Sequence, residues 1–253
     1  MFLAADCIQA NNPRVAQALA EFDPQPIREL AVRSERAGAQ YLDLNPGYLS
    51  SKNEDRMAFL VETVEAVSSL PLILDSPFAR VLARGLAAAR KTPIINGLSL
   101  DQRKIGEILP LAASSGADLV LLLMNENSVA PGAMEEKLAL ALELREHCLA
   151  AGLAPDRLIY DPLLPNLGEP DAYFKVGQCL KAIRLFSSGA FLGEEARAMV
   201  GLSNLRSGLR GRIPISLETT CLTMAAGAGL SLVLADPLQS ETAEAFRLTG
   251  GFA

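Results

Sequence analysis

Leu72-Ile73-Leu74-Asp75, then Phe78 to Ala89, then Ile94-Ile95-Asn96 reads as strand, helix, strand, with each strand stopping on an acid or an amide. The same ending recurs along the chain. Working outward, apolar runs stop at Asp6 (after Phe2-Leu3-Ala4-Ala5), Asn45 (after Tyr41-Leu42-Asp43-Leu44) and Asn125 (after Leu119 to Met124). Further runs stop at Asp161 (after Leu158-Ile159-Tyr160), Asn204 (after Met199 to Ser203) and Asp236 (after Leu232 to Ala235). A helix-like stretch separates each run from the next. Eight such units predict a (β/α)8 TIM barrel, whose active-site face is built at the C-terminal ends of the strands. The strands are continuous apolar runs rather than alternating ones, as expected of a parallel sheet covered on both faces. The fold would therefore aim a ring of amides and carboxylates into one mouth, suited to a flat, neutral, amide-rich heterocycle.

The composition narrows the classes. The chain has 253 residues, half of them hydrophobic, and no Pro/Ser linker or charge block divides it. α/β barrels commonly run to about this length as one unit, so residues 1–253 are expected to form a single domain. No apolar run approaches the ~18–20 residues of a membrane span, and no secretory leader is expected. The formal charge of -6 and a pI near 5.0 argue against a nucleic-acid or anionic-membrane surface. Cys7, Cys148, Cys179 and Cys221 are widely spaced without a C-x-x-C pair, which fits reduced thiols and a cytoplasmic protein. His147 is the only histidine, so multi-His metal sites are excluded and no bound metal is expected.

The helical stretches carry punctuation. Asp23-Pro24 caps and opens the first, with Ile27, Leu30, Ala31 and Ala37 at helical spacing and Gly38 closing it. Ser51 to Val67, Lys104 to Ser114, Met134 to Ala151, Asp171 to Phe186, Leu217 to Ala228 and Glu241 to Leu248 complete the series with Phe78 to Ala89. The longest connections, Pro162 to Pro170 and Leu205 to Pro214, follow strands six and seven. Extended loops at this barrel face usually serve a substrate.

One Asp or Asn at a strand end carries little information, since capping the following turn explains it equally well. Eight together imply that several point inward. Carboxylates accept paired N–H donors and an amide both donates and accepts, which matches the lactam and exocyclic amine of a pterin. Asp75 and Asp161, with Asn96 beside them, are the expected grip on such a ring. Asn125 is placed to reach the same pocket. Asp43 points opposite to Leu42 and Leu44, toward the barrel interior, where it needs a partner.

L-D-L-N (42–45), L-D-S (74–76), I-N (95–96), M-N (124–125), D-P-L (161–163) and G-L-S-N (201–204) occur in register along nearly the whole chain. In this the sequence resembles the pterin-binding methyltransferases that move a methyl group from methyltetrahydrofolate to a corrinoid (iron-sulfur) protein. Their barrel is shared with dihydropteroate synthases and with the folate module of cobalamin-dependent methionine synthase. The resemblance implies methyltetrahydrofolate as substrate, a Co(I) corrinoid carried by a partner protein, and a homodimer. It maps the catalytic Asn at the end of strand seven onto Asn204, and extends the pterin site to Ser203. Family members commonly open on a G-E-R-x-N strand, where this chain has Ala5-Asp6-Cys7-Ile8-Gln9. Asp6 offers a carboxylate for that Glu, while the Arg and Asn lack counterparts. Ser207 stands where a longer polar side chain is expected, and Pro77 where a Thr is common.

Arg206, Arg210 and Arg212 read either as a clamp for an anionic folate tail or as a solvated loop, with Arg206 and Ser207 the rim candidates. Two alternative functions stay open: dihydropteroate synthase and a non-catalytic pterin or folate binder. The former family usually carries an Arg/His pair at its last strand, which here ends Leu234-Ala235-Asp236-Pro237.

Overall fold

Eight parallel strands close into a barrel in sequence order, each hydrogen-bonded to the next and β8 to β1. This computed structural model describes residues 1–48, 53–209 and 211–250. The strands are β1 (Phe2–Gln9), β2 (Tyr41–Asn45), β3 (Leu72–Asp75), β4 (Ile94–Leu98), β5 (Leu119–Leu122), β6 (Leu158–Asp161), β7 (Arg197–Gly201) and β8 (Leu232–Ala235). Helices α1 (Pro13–Glu21) and α2 (Pro24–Arg36) follow β1, and α3 (Asn53–Glu65), α4 (Ala79–Ala88) and α5 (Gln102–Ser115) follow the next three strands. Then α6 (Met134–Ala150), α7 (Ala172–Ser187), α8 (Ile215–Gly227) and α9 (Ser240–Thr249) complete the ring. None of the described helices is long and apolar enough to cross a membrane.

Strand side chains alternate between two environments, and both are buried. Leu42, Leu44, Leu72, Leu74, Leu119, Leu121, Leu158 and Tyr160 face the helices in the larger core. Ala4, Ile73, Ile94, Val120, Ile159, Met199, Leu232 and Leu234 fill the barrel interior as a second cluster. Burial on both faces is why the strands read as unbroken apolar runs. The interior positions one step further along the strands are polar: Asp75 is level with Asn96, Asn45 with Gln9, and Asp161 with Leu122. Period-two alternation thus converts a strand ending in Asp or Asn into a side chain aimed at the mouth.

Four strand boundaries differ from the sequence expectation. β4 runs two residues past Asn96, to Leu98. β1 runs on to Gln9, with a shift of register between Ala5 and Ile8, so Asp6 lies within the strand. β5 stops at Leu122, short of Met124. β7 stops at Gly201, and Leu202–Arg206 forms a 3-10 turn that carries Ser203 and Asn204. An unexpected helix, α1, precedes the one opened by Asp23; Asn12 caps it by accepting from the Arg14 N–H, and Pro13 takes its first turn. Ser51 and Lys52, at the start of the helix expected after strand two, lie outside the described residues.

Candidate active site

Six of the eight predicted strand-end side chains converge. Asp6, Asn45, Asp75, Asn96, Asp161 and Asn204 line one cavity of about 300 Å³ at the C-terminal end of the barrel, together with Asp43 and Ser203. Asp6, Gln9, Ser203 and Asn204 also line a neighbouring cavity of about 550 Å³, which Ser207 and Asp236 border. The shared side chains make the two one continuous mouth.

Three of these polar groups are held from behind. Asn45 Nδ2 donates to Asp75 Oδ2 at 2.8 Å, while its Oδ1 accepts from the Gly47 N–H at 2.8 Å. The Asn45 amide is thereby fixed, and Asp75 with it. Asp161 Oδ1 accepts from the Leu163 N–H at 2.8 Å. Leu163 has φ +58, a left-handed conformation that costs a bulky residue energy. Lys137 of α6, 1% exposed, donates from Nζ to Pro162 O at 2.7 Å, and the Cys179 thiol contacts Pro162 O and Leu163 O at 3.5 and 3.4 Å. The D-P-L turn is clamped by these two side chains.

Charge in this mouth is poorly solvated. Burial pushes the Asp161 carboxyl up to about 7, against the Leu163 N–H and the Lys137 charge, which favour its ionised form. Burial likewise raises Asp75 to about 6, opposed by the Asn45 hydrogen bond and by Lys104 of α5. Lys137 is lowered, chiefly by burial, with Cys179 and Asp161 opposing. Desolvation disfavours the charged form of either sign, so both carboxylates gain from a ligand that brings N–H donors to them.

Asn204 stands exposed at the edge of the mouth, on the 3-10 turn. Gly201 makes room for it: a Cβ there would lie 3.3 Å from Asn204 Nδ2. Asn166, in the loop after β6, donates from Nδ2 to Asn204 O at 3.3 Å and to Ser207 O at 2.8 Å. The Leu167 N–H adds a bond to Leu205 O at 2.9 Å. The long loop after β6 thus latches the turn that presents Asn204.

Two expected site residues lie elsewhere. Asn125 does not line the cavity; its Oδ1 accepts from the Asn127 and Val129 N–H groups at 3.0 Å each, closing a local turn. Because β5 ends early, Leu122 takes the inward place instead. Arg206 is not a rim clamp: it is 8% exposed, ion-pairs with the buried Glu218 at 3.1 Å and donates from Nε to Ile213 O at 2.9 Å. Following Asn204 by two residues in a tight turn, it faces α8 and staples the turn to it. Arg212 is exposed, and Arg210 lies outside the described residues. Asp236 caps its own turn through the Leu238 N–H at 2.9 Å while bordering the outer cavity. Cys7 is buried, with its sulfur 3.1 Å from Ser34 Oγ. Lys137 and Asn166 were not singled out from the sequence.

Residues 10–234 match the family described as "Pterin binding enzyme". The chain belongs to the pterin-binding enzymes. Among relatives of this pterin-binding enzyme, the methylcorrinoid:tetrahydrofolate methyltransferase of Eubacterium limosum is 24% identical over 239 residues, covering 94% of this chain and 85% of that protein. The methionine synthase of Mycobacterium leprae (strain TN) is 29% identical over 141 residues, 53% of this chain but 12% of that much longer one. Among solved structures, the 7,8-dihydropteroate synthase from Vibrio fischeri ES114 superimposes with a TM-score of 0.71 at 16% identity, covering 99% of this chain and 92% of that one. That likeness establishes the dihydropteroate synthase-like barrel.

Proposed function

We propose that this pterin-binding enzyme holds methyltetrahydrofolate by its pterin ring and passes the methyl group to the Co(I) corrinoid of a partner protein. The observation that carries the reading is the convergence of Asp75, Asn96 and Asp161 on one cavity, with Asn204 presented at its edge. Asp75 and Asp161 would accept from the ring's N–H groups, and Asn96 would both donate and accept. Leaving buried carboxylates without those donors is costly, so the ring's amide edge is what this mouth selects.

The methyl group sits on a tertiary ring nitrogen whose anion would be a very poor leaving group. The partner's corrinoid supplies the nucleophile that takes the methyl. What this chain must add is help for the nitrogen, which keeps the electron pair of the breaking N–CH3 bond and needs a proton to do so. The Asn204 amide is too weak an acid to deliver that proton, but it can orient the ring and favour the protonated nitrogen. One such interaction made in the transition state contributes ~2–4 kcal/mol. The gap Gly201 leaves and the latch from Asn166 keep that amide at the edge of the mouth, where the methyl would depart.

The name of the Eubacterium limosum relative describes transfer from a methylcorrinoid to tetrahydrofolate. The two directions share one transition state, so the same residues serve either. The reading also expects one folding unit working as a cytoplasmic homodimer. Its test mixes the protein with methyltetrahydrofolate and reduced cobalamin, and separately with methylcobalamin and tetrahydrofolate, following the cobalamin spectrum. Catalysed change in either mixture supports the proposal; tight folate binding with none in both, even with candidate corrinoid proteins supplied, would make the protein a binder only.

A further inference from the structure

β2 places two polar side chains on its inner face, and among the described residues one of them keeps an oxygen without a hydrogen-bond partner. Asn45, nearer the mouth, is used up holding Asp75 and accepting from Gly47. Asp43 lies one step deeper, level with Ile73 rather than with Asp75. It is 3% exposed, lines the cavity, and its Oδ1 has no hydrogen-bond partner among the described residues. The charges acting on it come from Asp75 on β3 and Asp6 on β1, both acidic. Lys104 of α5 acts on Asp75, and Lys137 of α6 acts on Asp161 at the same cavity, so the nearby cations serve the other carboxyls.

An ionised carboxylate at this position would be buried beside two like charges, a combination that drives neutralisation rather than ionisation. Burial first, then Asp75 and Asp6, hold the Asp43 carboxyl well above the usual carboxylate range. A protonated carboxyl differs from its ion in one decisive way: it carries an O–H donor. A pterin presents acceptors, its carbonyl oxygen and a ring nitrogen, beside its N–H groups. A mouth of ionised carboxylates would leave those acceptors to Asn96 and to the donors nearer the edge, Gln9, Ser203 and Asn204.

We propose that Asp43 is a substrate-binding residue that works as a neutral acid, donating its O–H to an acceptor of the bound heterocycle while Asp75 and Asp161 accept from its N–H groups. This rests on the pterin reading above and adds a donor to it. A buried carboxylic acid kept neutral for the sake of its donor is a known solution in apolar sites.

Affinity then depends on pH from both sides. It rises as Asp75 and Asp161 ionise, through about 6 and about 7, and falls again where Asp43 loses its proton. Asp43→Asn keeps a donor of the same size that does not titrate; Asp43→Ala removes it. Methyltetrahydrofolate is titrated calorimetrically into the parent and both variants from mildly acidic to alkaline pH. The expected result is an alkaline fall in the parent that Asp43→Asn lacks, with Asp43→Asn within about threefold of the parent near neutrality and Asp43→Ala weaker by about tenfold or more. A parent with no alkaline fall, or Asp43→Asn weakened as much as Asp43→Ala, overturns the proposal. Infrared difference spectra of the ligand-free protein add an independent readout: a protonated-carboxyl band at neutral pH that Asp43→Asn removes. Its absence overturns the neutral acid regardless of folate. A parent that binds no folate would end the functional reading and the donor role with it, leaving the infrared band to decide the protonation of Asp43 by itself.

Discussion

The floor of the barrel interior and its mouth are built from the same strands, a residue or two apart, yet they serve opposite ends. On the floor, Ile73, Ile94, Val120 and Ile159 meet as an apolar cluster closed to solvent. At the mouth the next inward positions are Asp75, Asn96 and Asp161, with Asp6 and Asp43 beside them. The floor gains stability from every methylene it buries, about 0.8 kcal/mol each. The mouth loses stability, because its carboxyls are held in an environment that disfavours their charge. At the mouth that cost falls on positions where a ligand can offset it.

The largest test strikes the floor. Ile159→Ala should cost ~2–5 kcal/mol of unfolding free energy, measured by chemical denaturation, because the closed cluster cannot collapse around the gap. A loss well under that range would mean the interior is loosely filled. Next comes the edge of the mouth. Asn204→Ala should slow methyl transfer by a factor equivalent to ~2–4 kcal/mol while folate affinity stays within about tenfold. Equal losses in affinity and rate would make Asn204 part of the grip rather than of the transfer.

Asp161→Asn probes the cost directly, and the sign is specific. The folded-state carboxyl is raised from 3.8 to about 7, so the folded protein holds its proton more tightly than the unfolded chain. Stability from that group is present in full below about pH 4 and is lost as pH rises through 7. The Asn variant should lack this decline, and well above pH 7 the ligand-free variant should be more stable than the parent by up to about 4 kcal/mol. It should also bind folate at least tenfold more weakly. Denaturation curves across pH that run parallel for the two proteins would contradict the account. Smallest is Gly201→Ala, whose Cβ would crowd Asn204 Nδ2; transfer should slow a few-fold, under ~1 kcal/mol, with little change in melting temperature.

Much of this contrast was legible in the sequence, for a physical reason. Strands covered on both faces leave no alternation to read, so the few polar residues of each run stand out, and Asp75, Asn96 and Asp161 were found that way. At β5 the inference failed: the strand ends at Leu122, and Asn125 turned out to close a loop. Arg206 was misread because nothing in a loop sequence says that a 3-10 turn will point it at Glu218. Asp43 was visible as an acid between two leucines, whereas its lack of a partner required the neighbouring strands. Lys137 was invisible: a lone lysine in a helix usually lies in water, and only the fold brings it against the Asp161 turn.

The most direct test of the central claim, that this mouth grips a pterin ring, is a competition experiment. The two halves of the folate molecule are offered separately against bound methyltetrahydrofolate. The account predicts that a simple reduced pterin displaces it and that p-aminobenzoylglutamate alone does not. Displacement by p-aminobenzoylglutamate with none by the pterin would contradict it.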